Sequence, residues 1–262
     1  MKLFDTHFHW DGISPKNVIV DESNAEGVEY LSCIGGDYTS SKQACEFAEA
    51  FDNVFFTAGI HPHYVDEYNG DFSEFISIFS HSKMKAVGEV GLDYFYDNSD
   101  RKNQIKVLES FFSLAVNCNK PLVIHCRDKE GCYDAYSEIY NLLNSFYKEK
   151  IKFVIHCYTG NRYWLEKFLE LDGYIGFTGI VTFPKALNVQ ELVPIVPNEK
   201  LLIETDSPYL APIPYRGKTN YPKYLPLIAD KVASLKGIDI EELSSQILTN
   251  SFKFYDIPLL YT

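Results

Sequence analysis

Short apolar runs recur along the chain at residues 2–4, 30–34, 54–58, 86–89, 122–125, 153–156, 174–177 and 201–205. Each is rich in β-branched or aromatic residues and bounded by polar or turn-forming ones, the pattern of a buried strand. Between them lie longer stretches with apolar residues at helical spacing, such as 104–117 (QIKVLESFFSLAVN), 133–147 and 164–171. The alternation predicts eight strands, each followed by a helix. A parallel sheet rolled into a barrel fits better than an open sheet, because no composition shift or Gly/Ser linker divides the chain. The expected fold class is therefore α/β, a TIM-type (β/α)8 barrel spanning 1–262 as a single domain; about 250 residues is the usual size of such a unit. The tetrapeptide VIHC occurs at 123–126 and again at 154–157. The two copies are one βα unit apart, so they read as successive strands and not as a repeat array. Further helices are expected at 223–235, with Pro222 placed to start it, and at 240–254.

Barrels of this kind carry their chemistry at the C-terminal ends of the strands, so the informative residues are the polar ones that end apolar runs. The first run leads into FDTHFHWDG, where His7 and His9 are two apart and on an extended strand share a face. An isolated HxH is as readily a packing or surface feature as a chelate. The fourth run ends in AVGEVGLDY with Glu89 as its only acid, which alone could be half of a salt bridge. The fifth and sixth end in His125 and His156, and the eighth, LLIETDSPYLAP, carries Glu204 and Asp206 on what an extended strand makes one face. Together His7, His9, Glu89, His125, His156 and Asp206 place four imidazoles and two carboxylates at one end of one barrel. Burying so many titratable groups without a partner costs several kcal/mol, and metal ligation is the simplest account of the set.

Composition narrows the setting. The chain is 46% hydrophobic and 23% charged, with a net charge of −12, so its surface as a whole repels nucleic acid and anionic membrane. An anionic substrate would need a local positive feature. Six cysteines occur without a CxxC pair, and MKLFDTHF turns polar too soon for a secretory leader. The expectation is reduced thiols and a cytoplasmic location. No apolar run approaches the roughly 20 residues needed to span a bilayer, and no obligate protein partner is evident.

Taken in order, DTHFH, GIHPH, GEVGLDY, PLVIHCRD, IHCYTG and LLIETDSPYLAP followed by PYRGK resemble the signatures of the TatD deoxyribonucleases, metal-dependent barrels of the amidohydrolase superfamily. The resemblance runs from Phe4 to at least Lys218. Thr159 stands where a serine would follow the aromatic Tyr158, and aromatic Phe8 and Trp10 flank the first histidines; neither change removes a ligand. The resemblance implies two divalent ions (Mg, Mn or Zn). His7, His9 and Asp206 would hold one, His125 and His156 the second, and Glu89 would bridge both, giving Glu89 and Asp206 the catalytic roles. It further implies a DNA substrate, single-stranded or with frayed ends, shortened from the 3′ end, and substrate contact by His61 and His63. Two such ions less two carboxylates leave a charge of about +2 in a poorly solvated cleft, the local positive feature a phosphate requires. Asp206 is expected to orient the attacking water and take its proton.

Other positions admit two readings. Arg127 could fork onto a phosphate or pair with Asp128 or Glu130. Arg216 and Lys218 could grip a nucleic-acid backbone or simply be solvated. Tyr94, Phe95 and Tyr96 could offer a base-stacking platform or pack in the core. Asp5, Asp93 and Glu204 are expected to accept the free ring N–H of ligand histidines. Competing functions are hydrolysis of a cyclic amide, a lactone or a phosphotriester, and metal-holding without catalysis. Many binuclear relatives bridge their metals with a carboxylated lysine, whereas the fourth run offers Glu89 and no terminal lysine, which favours the phosphodiesterase.

Overall fold

The computed structural model describes all residues except 69, 72 and 259–262, and of Tyr147 the backbone only. The strands are β1 (Leu3–Phe8), β2 (Val28–Ile34), β3 (Val54–Ala58), β4 (Met84–Asp93), β5 (Leu122–Arg127), β6 (Phe153–Ile155), β7 (Tyr174–Phe177) and β8 (Leu201–Ile203). The α-helices are α1 (Lys16–Ala25), α2 (Tyr38–Glu49), α3 (Ile76–Phe79), α4 (Arg101–Cys118), α5 (Asp134–Ser145), α6 (Arg162–Glu170), α7 (Leu187–Gln190), α8 (Leu225–Lys236) and α9 (Ile240–Phe254). One parallel sheet takes all eight strands in sequence order. Its two edges meet in a parallel bridge between Phe8 and Ser207, where Asp206 N–H donates to His7 O (2.8 Å) and His9 N–H to Ser207 O (2.7 Å). The result is the expected barrel.

An inner layer takes one apolar residue from every strand: Phe4, Tyr30, Phe55, Ala86, Val123, Val154, Tyr174 and Leu202. The end of α9 packs against this layer through Leu248, Phe252, Phe254 and Tyr255, and the Tyr255 hydroxyl donates to Thr6 O at 2.6 Å. The alternate residues face outward and form the larger core with the helices. One end of the barrel is thus closed by apolar packing, and polar chemistry is confined to the other.

Strand extents differ from the sequence expectation in an informative way. β1 continues to Phe8 because Asp5, Thr6 and His7, polar in any hydropathy count, are 0%, 2% and 0% exposed and find partners inside. Thr6 Oγ1 donates to Ile203 O (3.0 Å), and Asp5 accepts from the Thr205 hydroxyl and amide. β6 and β8 stop earlier, at Ile155 and Ile203. Glu204 and Asp206 are therefore not alternate residues of one strand face, as the spacing suggested; Asp206 sits at φ 54°, a left-handed conformation that aspartate tolerates better than most residues.

Candidate metal centre

Glu89 is the hub of the site. It is 2% exposed, on β4, and flanked by Gly88 and Gly91. A side chain at Gly91 would put its Cβ 1.9 Å from His125 O, so glycine is what lets β4 press against β5 here. That approach brings His125 Nδ1 to 2.9 Å from Glu89 Oε1. His156 Nε2 lies 3.1 Å from the same oxygen, and His61 Nε2 3.7 Å. The second oxygen, Oε2, faces His7 Nε2 (3.4 Å) and His9 Nε2 (3.5 Å). Asp206 Oδ1 closes the other side, 3.7 Å from His7 Nε2 and 3.5 Å from His9 Nε2.

Three overlapping triplets of ligand atoms converge within 4.8 Å: His7–His9–Glu89, His7–His156–Asp206 and His61–Glu89–His125. All six residues of the expected ligand set thus meet, although the strands that supply them are far apart in sequence. Two features depart from the expected grouping. His156 converges with His7 and Asp206, its ring stacked on His7 at 3.8 Å, and is 5.9 Å from the ring of His125. His61, anticipated as a substrate contact, converges with Glu89 and His125 because the turn after β3 directs it inward.

Electrostatics fit a cation. His7 Nε2 and His9 Nε2 face each other at 3.2 Å, where at most one can donate, and buried His7 Nδ1 has no partner among the described residues. Burial opposes ionisation of Glu89, yet His156, His61, His7 and a bond to His125 hold its carboxyl well below the usual range. Burial likewise opposes ionisation of Asp206, and the bond to His9 and the charges of His156 and His7 outweigh it. Burial lowers His7, and His156 adds to that effect, whereas in His156 the pull of Glu89 and Glu204 overcomes burial and raises it. A borderline metal offered imidazole nitrogens and carboxylate oxygens suits this donor set.

The acids expected behind the rings divide. Asp93 Oδ2 is 3.0 Å from both His125 Nε2 and His63 Nε2, and Gln104 fixes the Asp93 amide at 2.8 Å. Glu204 Oε1 lies 3.1 Å from His156 Nδ1 and accepts the Cys157 amide at 2.6 Å; a Cβ at Gly176 would come within 2.6 Å of that oxygen. Among the described residues Asp5 bonds no histidine ring. It bonds Thr205 and the His7 amide (3.3 Å), bracing the seam between β1 and β8, and burial pushes its carboxyl up to about 8.

Tyr94 is not a stacking platform. It is 0% exposed, its hydroxyl donates to Glu138, and the Arg101 guanidinium covers its ring at 4.0 Å. β4 ends at Asp93, and the turn that begins with Tyr94 carries its side chain away from the site that Asp93 faces. Phe95 and Tyr96, just beyond the strand, are exposed. Arg127 pairs with neither Asp128 nor Glu130 among the described residues; its guanidinium lies over Phe95 (4.4 Å) and Tyr96 (4.8 Å). Arg216 is exposed and lies over Phe183 at 4.4 Å. Tyr64 and Tyr209, which no sequence motif marks as site residues, stand beside the site, their rings 6.3 Å from those of His61 and His9. A separate group, Cys45–Glu49–His81, lies near α2, where His81 Nδ1 already accepts the Lys83 amide at 3.2 Å.

A parallel eight-stranded barrel with clustered histidines and carboxylates at its open end defines a metal-dependent hydrolase. The profile of the TatD related DNase family matches residues 4–256, and the chain belongs to that family. It is 33% identical to the uncharacterized metal-dependent hydrolase YabD of Bacillus subtilis, over 97% of this chain and 99% of that one. It is 34% identical to the 3′-5′ ssDNA/RNA exonuclease TatD of Citrobacter rodentium, over 92% of each. Its fold is similar to the crystal structure of YjjV, a TatD homolog from Escherichia coli K12, with a TM-score of 0.89, 22% identity and 98% of each chain covered.

Proposed function

We propose that this hydrolase cleaves phosphodiester bonds of DNA, removing nucleotides from the 3′ end of single-stranded or frayed substrate. The observation that carries the reading is the convergence of three ligand triplets on Glu89 and Asp206, which suits two divalent ions sharing one carboxylate. A similarly sized relative named as a 3′-5′ exonuclease supports the substrate class. His7, His9 and Asp206 would hold one ion and His125 and His156, which both face Glu89 Oε1, the other, with Glu89 between; His156 also converges with His7 and Asp206, and His61 stands beside the second position. When bound, such ions supply Lewis acidity to the phosphoryl oxygens and lower the pKa of water.

The chain's own groups do the rest. Asp206, ionised at neutral pH and 14% exposed through its side chain, accepts the proton of the attacking water. Asp93 fixes the rings of His63 and His125, and Glu204 that of His156, so each ring presents its other nitrogen to the site in one orientation. His63, with its side chain 24% exposed, contacts a phosphate oxygen at the rim. The protein works as one unit without an obligate protein partner, in the cytoplasm, where its six unpaired thiols are stable. Among the described residues no helix is long and apolar enough to cross a membrane.

End-labelled single strands incubated with protein loaded with Mg, Mn or Zn test the proposal. A ladder shortening from the 3′ end is expected. Internal fragments would indicate an endonuclease, and strands left intact under every metal would move the assignment to cyclic amides. Asp206→Asn should lower kcat by roughly 10²–10⁴ at saturating metal; a near-normal rate would remove Asp206 from proton transfer.

A further inference from the structure

Five large aromatic side chains stand out from the surface among the described residues: Tyr64, Phe95, Tyr96, Tyr163 and Tyr209. Four of them ring the mouth of the metal centre. Tyr64 has its ring 6.3 Å from that of His61, Tyr96 lies 5.5 Å from His63, and Tyr209 lies 6.3 Å from His9. Phe95 meets Tyr96 edge-on at 4.8 Å. They are 45% (Tyr64), 41% (Phe95), 52% (Tyr96) and 61% (Tyr209) exposed. The rings come from the loops after β3, β4 and β8, so no single helix or strand packs them there for its own stability. Arg127 adds a planar cation to the Phe95–Tyr96 wall.

We infer that Tyr64, Phe95, Tyr96 and Tyr209, with the Arg127 guanidinium, form a collar that stacks the unpaired bases beside the scissile phosphate while the phosphodiester descends to Glu89 and Asp206. The inference rests on the phosphodiesterase reading and adds the source of substrate affinity. The net charge of −12 favours such a device: a surface that is acidic as a whole attracts the backbone little away from the metal centre, and the faces of the bases can hold the strand. Inside a duplex the faces of a base are covered by its stacked neighbours, so a duplex end offers the collar successive free faces only after fraying. Stacking also tolerates any base identity.

The test compares two single-stranded oligonucleotides, one ordinary and one whose last three 3′ nucleotides are abasic, on metal-loaded protein. Wild-type protein should show a lower KM for the base-bearing end. Tyr64→Ala, Tyr96→Ala and Tyr209→Ala should each raise that KM roughly 5- to 100-fold, keep kcat, and leave the KM of the abasic end unchanged. Tyr96→Phe and Tyr209→Phe, which keep the ring, should restore the wild-type KM. Equal wild-type KM for both ends, or equal loss on both in the alanine variants, would sink the collar while leaving the nuclease reading intact. Failure to cut either strand, with a small ester still hydrolysed, would sink both.

Discussion

Tyr94 and Tyr96 are two positions apart, yet one is sealed beneath Arg101 and the other half-bared beside His63. Strand β4 ends at Asp93, before both of them, so strand alternation governs neither and the turn that follows places each one separately. Polar residues show the same division. The imidazoles and carboxylates at the ends of apolar runs were legible because buried charge demands a partner. The identity of that partner was not: Asp5 braces Thr205 and, among the described residues, bonds no histidine ring. Thiols give a direct check at this scale. Burial pushes Cys33 up to about 12, whereas Cys132 is exposed. A raised pKa means less thiolate at any lower pH, so at pH 8 only about 1 in 10⁴ Cys33 thiols is ionised, against a sizeable fraction for an ordinary thiol near 8.5. Iodoacetamide at pH 8 followed by peptide mass mapping should find Cys132 alkylated and Cys33 free in the folded protein; equal modification would contradict the burial.

Among the elements, β4 decides most. Its motif GEVGLDY reads as a strand with two acids, Glu89 and Asp93, in an apolar setting, and the structure supplies the reason for both glycines: the backbone of β5 lies where a side chain would stand. Gly91→Ala should destabilise the protein by about 3 kcal/mol, at the upper end for overpacking, and should lower activity as well, since any shift of β5 moves His125 off Glu89. Thermal melting and the nuclease assay together check this; an unchanged melting temperature would show that the strands are not so tightly pressed. The helices at 104–117, 164–171 and 240–254 were legible to within three residues at each end because their apolar stripes face the barrel wall. The short strands β6 and β8 were not, since a run of apolar residues does not say where pairing stops.

For the whole molecule, the seam between β1 and β8 carries the consequence. It joins residues about 200 positions apart and holds His7, His9 and Asp206 together. Ions bound there would tie that seam, so removing them should weaken the fold as well as stop hydrolysis. Exhaustive dialysis against a chelator is expected to abolish activity and lower Tm by roughly 5–10 °C for ions previously near 100 times their Kd, with both restored on adding Mn or Zn. Activity and Tm unmoved by verified metal loss would separate this chain from metal-dependent hydrolysis.

Periodicity and the residues that end each apolar run were enough to determine an eight-stranded parallel barrel and the six side chains that meet at its open end, because burial imposes period and unpaired buried charge is too costly to leave unexplained. Which of those side chains converge in threes, the inward turn of His61, the bracing role of Asp5, the burial of Tyr94 and the ring of exposed aromatics were decided only by the tertiary structure. Those properties depend on where strands end and how loops from distant parts of the chain approach one another, and no local spacing encodes such distances.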